Sequence, residues 1–473
     1  MFYQTLPLVS HDILNYGDEI VPVMVQLEPP TKVIETIHSA TFSDPDSKAL
    51  ALVEALQTFS TKSQTNLVNY LERLKIQGYR SYYISNTIAI EASKSAILNI
   101  SQFSGVKAIG SNFLPPKPTL HRRDPSSIEH DFPEYATDTF PDLSTPPLFY
   151  EPGIRQMEAH NIDERIIKAA GKLVLGNLDT GVDYKHPALR TNYMGSESNH
   201  SFTWFDAAQN STYPNDMLAH GTSVVSLAVG RRPIGISPES KWIACRAFNN
   251  KLAITEMYLK CQQFLLAPTN PQGNHPNAKL RPHVIANSWA CADIDNCFFE
   301  PFIYTSHAHY VAGIFNVAGA GNDGERGCQS IAYPPAENEH SFVVAALGDR
   351  TTKRAYYSSF GPSRLRKHAI DVAVVGDDVM SAGANSGYRF LSGTSVSAPL
   401  VAGAALLAMA ACPHLQRNVD ALTRVMQLSA TPLYSEMGCG TDTNQTIPNN
   451  EFGYGLLNLQ RAISICQSSS SLF

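Results

Sequence analysis

The chain has 473 residues, too many for one ordinary core, so its length implies two folded units. Hydrophobic residues make up 43% and charged residues 16%, a globular and not a disordered composition. The formal net charge of -6 comes from 36 basic and 42 acidic side chains, a mild balance that gives no reason to expect a nucleic-acid partner.

The longest apolar run, Leu400 to Cys412, is too short to cross a bilayer and reads as a buried helix, so no membrane partner is expected. The first residues, MFYQTLPLVSHDIL, have no positive segment before an apolar one and do not read as a signal peptide. All eight cysteines lie between Cys245 and Cys466, an even count that fits disulfides and an extracellular, oxidising compartment. Cys291 and Cys297 can close one short loop and are the best local pair, whereas Cys412, inside an apolar helix, reads as a small buried residue. Sequons stand at Asn99, Asn199, Asn210 and Asn444; a chain this rich in Asn, Ser and Thr carries a few by chance.

Residues 20–113 read as a small α+β unit. EIVPVMVQLE is strand-like, and the stretch from Lys48 carries helical periodicity up to Gly78. SYYIS and TIAIEA form a strand pair, SKSAILNISQFSG a short helix and VKAIGS a last strand. The order β-α-β-β-α-β is that of a ferredoxin-like sandwich. Residues 114–150 are rich in Pro, Ser, Asp and Thr without periodicity and read as an exposed linker. Arg122-Arg123 within it is either a maturation cleavage point or an ordinary solvated pair.

From residue 151 to 466, short apolar runs alternate with helical stretches: KLVLGNLD, VIANSW, IFNVAGAGN, SFVVAAL and IDVAVVG. Such runs are buried parallel strands, and the alternation predicts an α/β doubly wound sheet with helices on both faces. Ligands bind beyond the carboxyl ends of such strands. Asp179, Ser288 to Ala290, and Asn322 all fall at such ends, so one crevice can collect them.

Four motifs carry chemistry. Asp179-Thr180-Gly181 leaves a strand, where a carboxylate can be set rigidly beneath a histidine. Alone it also fits a plain turn or an aspartic protease, but no second carboxylate motif or all-β chain accompanies it. His220-Gly221-Thr222-Ser223 opens a small-residue helix; by itself His220 fits a satisfied helix-start histidine. Gly393-Thr394-Ser395 precedes a long apolar helix with Pro399 expected in its first turn. There free N–H groups and the helix dipole favour an oxyanion, although an N-cap serine is common too. Gly319-Ala320-Gly321-Asn322 lets an Asn side chain project, or is a Gly-Asn turn.

Together, in the order Asp, His, Asn, Ser, the four are specific. His220 follows Asp179 by 41 residues and Ser395 follows His220 by 175. On these motifs the chain resembles the subtilisin family of serine peptidases, whose triad runs Asp, His, Ser. GISPESKWIACRAF and VIANSW strengthen the likeness, the latter close to bacillopeptidase F-like and fungal extracellular members. The resemblance covers residues 150–465, and residues 20–113 resemble the family's inhibitory propeptide through NTIAIEASKSAILNISQFSGVKAI.

The resemblance implies a serine endopeptidase made as a zymogen, with Asp179, His220 and Ser395 as triad and Asn322 in the oxyanion hole. Ser288, Trp289 and Ala290 then pair with an extended substrate. It implies protein or peptide substrates, the chain's own propeptide as partner, a monomer, and no cofactor or catalytic metal. Calcium stabilises many relatives, but no ligand cluster stands out. Three positions depart from the family: Ser223 stands where His is frequent, Ala290 where Gly is usual, and the serine motif is GTSVSAP. An α/β-hydrolase esterase would need G-x-S-x-G and the order Ser, acid, His, which are absent. A catalytically inactive relative used for binding is the remaining alternative.

Overall fold

A computed structural model describes residues 9–113, 152–249, 253–292 and 296–468, apart from Tyr16 and Asp18. The proposed linker and the Arg122-Arg123 pair lie outside the described residues.

The N-terminal part runs β1 (Ile20–Gln26), α1 (Thr31–Ser39), α2 (Pro45–Arg73), β2 (Arg80–Tyr82), β3 (Thr87–Ser93), α3 (Lys94–Ser101) and β4 (Ala108–Ser111). The strands form one antiparallel sheet in the order β2-β3-β1-β4. Sequence periodicity anticipated α2 as one long helix. It begins where the Asp44 carboxylate accepts from the N–H groups of Asp46 and Ser47, both at 2.9 Å, with Pro45 in the first turn. Helix α1, too short to announce itself by periodicity, was not anticipated. Alternation along β1 sends Val21, Val23 and Val25 into a core with Leu67, Leu71, Ile97 and Ile100. Met24, on the other face, joins a second core that includes Tyr258, Phe264 and Phe302 of the larger part.

The larger part contains β5 (Val174–Asp179), β6 (Trp204–Asp206), α4 (His220–Val229), β7 (Lys241–Arg246), α5 (Thr255–Leu266), β8 (Val284–Asn287), α6 (Glu300–Val311), β9 (Phe315–Gly319), β10 (Ser341–Leu347) and β11 (Val372–Val375). A hairpin follows, β12 (Val379–Ala382) with β13 (Tyr388–Leu391), and then α7 (Thr394–Ala411), α8 (Val419–Ser429) and α9 (Leu459–Ser468). The main sheet has seven parallel strands in the order β11-β10-β9-β8-β5-β7-β6, with helices on both faces, the doubly wound α/β architecture expected. From β5 the chain runs to the edge strand β6, returns to β7 between the two, then crosses to β8 on the other side of β5. The switch point, where such sheets hold their ligands, is therefore the carboxyl end of β5 and β8.

Helix α7 is long and apolar enough to cross a membrane, but 89% of it is buried inside the fold, where it packs on α4 and the main sheet as a core helix. It begins six residues before the apolar run that announced it, so Pro399 lies in its second turn and not, as expected, its first. The cysteines form four disulfides: Cys245–Cys261, Cys291–Cys297, Cys328–Cys439 and Cys412–Cys466. The reading of Cys412 as an unbridged core residue is corrected: helix packing brings α9 alongside the end of α7, and Cys466 on α9 reaches it.

Candidate active site

Asp179 is the last residue of β5, fully buried at the switch point. Its Oδ1 accepts the N–H of Thr180 at 2.7 Å and lies 2.7 Å from His220 Nδ1. His220 is the first residue of α4, and Gly221 is what lets that helix approach. A Cβ at residue 221 would sit 2.1 Å from the Gly181 carbonyl oxygen and 2.9 Å from Asp179 Cβ. The loop between β5 and α4 is then tied down by Thr180, whose Oγ accepts the Gly221 N–H at 3.0 Å.

Sequence reasoning missed Asp216. Its Oδ1 accepts from the Thr180 hydroxyl and the Ala219 N–H, both at 2.9 Å, and from the Leu218 N–H at 3.1 Å. Its Oδ2 accepts from the Thr222 N–H at 2.9 Å and the Thr222 hydroxyl at 2.7 Å. One carboxylate thus binds the Asp179 loop to the first turn of α4 and satisfies helix donors that would otherwise be orphaned. It also holds Ala219, a non-glycine residue with a left-handed φ of 58°, immediately before His220. Burial pushes the Asp216 carboxyl up from its ordinary range, against the Thr222 and Thr180 hydrogen bonds that pull it down. The only sequence signal was an aspartate one helical turn ahead of His220.

Ser395 lies in the first turn of α7, 6% exposed. Gly393 precedes it at φ 138°, open to glycine but strained for other residues, which makes the sharp turn into the helix. Pro399 has a specific effect here. It lacks the N–H that would donate to the carbonyl four residues back, which is that of Ser395. The Ser288 hydroxyl donates to that carbonyl oxygen instead, at 3.1 Å. The strand segment after β8 is thereby fastened to the start of α7.

Asn322, half-buried, lies just beyond β9. Its Oδ1 accepts from the Thr394 N–H at 3.0 Å and the Thr394 hydroxyl at 3.1 Å. With the oxygen so engaged, the amide NH₂ is the end left to face the cleft. Ser288, Trp289, Ala290, Asn322, Thr394 and Ser395 line one small cavity of about 50 Å³, walled further by Ala320, Tyr333 and Ala336. Trp289 is anchored from behind: its indole N–H donates to Asn287 Oδ1 at 3.1 Å and its ring stacks on Tyr258 at 4.6 Å. Ala290 is held by the Tyr258 hydroxyl, which donates to its carbonyl at 3.2 Å. The helix that His220 opens, α4, packs against α7, whose first turn holds Ser395. Among the described residues, no group of three His, Cys, Asp or Glu side chains is arranged to hold a metal ion.

A second cluster joins the N-terminal part to the sheet layer. Glu256, at the start of α5, accepts from Arg80 through both carboxylate oxygens, from the Tyr82 hydroxyl, and from Asn112 Nδ2 at 2.9 Å. Asn112 Oδ1 returns an acceptor to the Glu256 N–H at 3.0 Å, capping a helix that has no cap of its own. Burial raises the Glu256 carboxyl, and Arg80, Lys260 and Tyr82 more than offset that, holding it at about 2. Arg281, fully buried, donates to Asp46 Oδ1 at 2.8 Å and to the Pro45 carbonyl at 3.0 Å.

A sequence profile of the subtilase family matches residues 171–455. Bacillopeptidase F of Bacillus subtilis is 30% identical over 441 residues, covering 88% of this chain and 29% of that protein. A thermophilic serine proteinase of Bacillus sp. (strain AK1) is 25% identical, covering 58% of this chain and 61% of the relative. The alkaline proteinase of Hapsidospora chrysogena is 23% identical, covering 56% of this chain and 58% of its own length. The chain therefore spans less than two thirds of the length of each of these relatives.

Proposed function

The chain belongs to the subtilase family, and from that membership we propose that it is a serine endopeptidase cleaving peptide bonds in proteins through an acyl-enzyme. The observation that carries the reading is the buried Asp179–His220 contact at 2.7 Å beside a cleft that presents Ser395 and Asn322 together. A serine hydroxyl is a weak nucleophile until a base removes its proton. His220 takes that proton as Ser395 Oγ attacks the scissile carbonyl, and returns it to the leaving amine. Asp179 fixes the imidazole tautomer and stabilises the imidazolium. The Asn322 amide and the Ser395 backbone N–H receive the oxyanion. Water then attacks the acyl-enzyme by the same route in reverse, releasing the acid and restoring Ser395. No step calls for a cofactor.

Ser288 to Ala290 offers an extended edge along which an unfolded or loop segment of substrate can lie. Residues 20–113 act in this reading as an inhibitory and folding-assisting propeptide, with the chain made as a zymogen. The support is the docking through Glu256 and Arg281, both of which take partners from this part. Four disulfides support maturation in an oxidising, extracellular setting.

The test is Ser395→Ala in the full chain. It should abolish peptide hydrolysis and leave the precursor uncut; in subtilisin, loss of the nucleophile costs about 10⁶ in kcat. A variant that matures and turns over near the normal rate would sink the assignment.

A further inference from the structure

We propose that the cleft selects a small, uncharged side chain on the residue whose carbonyl Ser395 attacks, and that Ala290 is a residue setting that limit. The inference rests on the peptidase reading above and deepens it by naming the substrate class.

The chemistry fixes where that side chain goes. An attacked carbonyl must sit between Ser395 Oγ and the Asn322 amide, and the side chain of the same residue leaves from the carbon next to it. The cavity that Ser395 and Asn322 border is the space it meets. This cavity is a slot between two segments that leave adjacent strands, Ser288 to Ala290 beyond β8 and Ala320 to Asp323 beyond β9. Ser330, Tyr333 and Ala336 close it.

Size sets which side chains enter. The slot holds about 50 Å³. A water molecule occupies about 30 Å³ in the liquid, whereas a cavity known to take benzene measures about 150 Å³. A methyl or hydroxymethyl group fits, a branched aliphatic chain crowds the slot, and an aromatic ring exceeds it.

The walls are fastened. The Cys291 N–H donates to the Pro334 carbonyl at 2.9 Å, tying one wall to the closing segment, and Cys291 is itself bridged to Cys297. On the opposite wall the Ser359 N–H donates to the Gly321 carbonyl at 2.8 Å, and Ser359 Oγ accepts the Asp323 N–H at 2.9 Å. The closing segment is held by Ser330, whose N–H donates to the Phe360 carbonyl at 3.1 Å and whose Oγ accepts the Phe360 N–H at 3.0 Å. A larger group can be admitted only by shifting several of these contacts together.

Ala290 faces the slot. Successive residues of an extended segment point to opposite sides. The Trp289 indole meets Asn287 Oδ1 behind the segment, whereas the Ser288 hydroxyl reaches the Ser395 carbonyl in front. Ala290 follows Ser288 to the front, where a glycine would leave the volume of its methyl open. Asp323 is the one charged residue lining the slot, and Arg326 Nη2 stands 3.0 Å from its Oδ1. An acidic side chain is repelled there, and a basic one finds the carboxylate already paired.

The experiment gives the matured full chain a series of peptides that differ only at this residue, carrying Ala, Ser, Leu, Phe, Lys or Glu, with the cut bond located by mass spectrometry. Ala and Ser should give the highest kcat/KM, Leu a value at least about tenfold lower, and Phe, Lys and Glu at least about 100-fold lower, within the range that pocket misfits produce. A290G should raise the Leu-to-Ala ratio by about tenfold. Cleavage after Leu or Phe as fast as after Ala, or an A290G ratio equal to wild type, overturns the inference. If A290G does not fold, the wild-type series decides. An enzyme that takes fluorophosphonate on Ser395 yet prefers large residues overturns this inference alone. A folded wild-type chain that cuts no peptide and takes no label overturns the peptidase reading, and the inference with it.

Discussion

Asn322→Leu isolates one interaction in the proposed chemistry. The asparagine oxygen is already committed to two donors of Thr394, at 3.0 and 3.1 Å, so the side chain is oriented before substrate arrives. Its NH₂ is therefore a preorganised donor that gains most when the carbonyl oxygen becomes an oxyanion. Leucine keeps the branched shape and removes both the donor and the acceptor. The loss of one oxyanion donor costs about 10²–10³ in kcat, or about 2.7–4 kcal/mol, as measured for the corresponding asparagine of subtilisin. Thr394 loses its acceptor too, which could shift the start of α7, so Asn322→Asp serves as control: it keeps the acceptor and replaces the donor by a repelling charge. Steady-state kinetics on a peptide substrate, with folding followed by circular dichroism, gives the answer. Both variants should lose kcat while KM stays within about twofold. A loss confined to KM, or an Asp variant as fast as wild type, would refute the assignment of Asn322 to the transition state.

Four further outcomes follow from the geometry. Gly221→Ala puts a Cβ 2.1 Å from the Gly181 carbonyl and should drive His220 from Asp179, lowering kcat by about 10²-fold with the fold retained; normal turnover would mean that the helix approach is not constrained. Arg80→Ala removes a charge-assisted pair from Glu256 and should weaken docking of the N-terminal part by about 1 kcal/mol, below the value for a buried charged pair because Arg80 is 38% exposed; faster release on size exclusion after maturation checks this. Acid should loosen the same docking. Glu256, held at about 2, contributes docking stability above the ordinary carboxylate range that is lost as pH falls from about 4.5 toward 2. His340, which burial first, then His307 and His38, bring down to about 4, favours the docked neutral state until pH falls below about 6.5. The signs agree, with His340 acting as pH falls from about 6.5 to 4 and Glu256 only below about 4.5, so release at pH 4 should exceed release at pH 7.5, and equal or tighter binding at pH 4 would contradict it. Replacing Cys412 and Cys466 by alanine opens a link between residues 54 apart and should cost up to about 4 kcal/mol, read as a lower Tm.

The parts of this fold that announce themselves locally are those with strong local signals. The five apolar runs stand in the sheet because a strand buried on both faces has no polar alternation to obscure it. The Asp, His and Ser motifs were legible because each couples a reactive side chain to a glycine that the local backbone requires. What escaped depends on distance. Arg389 sits on a four-residue strand and donates to a serine 166 residues earlier, and nothing in YRFL signals that contact. Asp216 carries no local signal, because its five donors come from two segments that meet only in the fold. Cys412 looked unbridged because the apolar helix around it is a sufficient local explanation, while its partner is set by how α9 packs. Pro399 was placed a turn too early, because the apolar run that marks α7 begins after the helix does.

The most direct test of the central claim is active-site labelling with a fluorophosphonate, followed by intact and peptide mass analysis. The matured wild-type chain should gain one adduct, mapped to the peptide containing Ser395, with activity lost in proportion to label. Ser395→Ala, equally folded, should gain none. Absence of label on a folded, matured wild-type chain, or an adduct on a serine other than Ser395, would contradict the account.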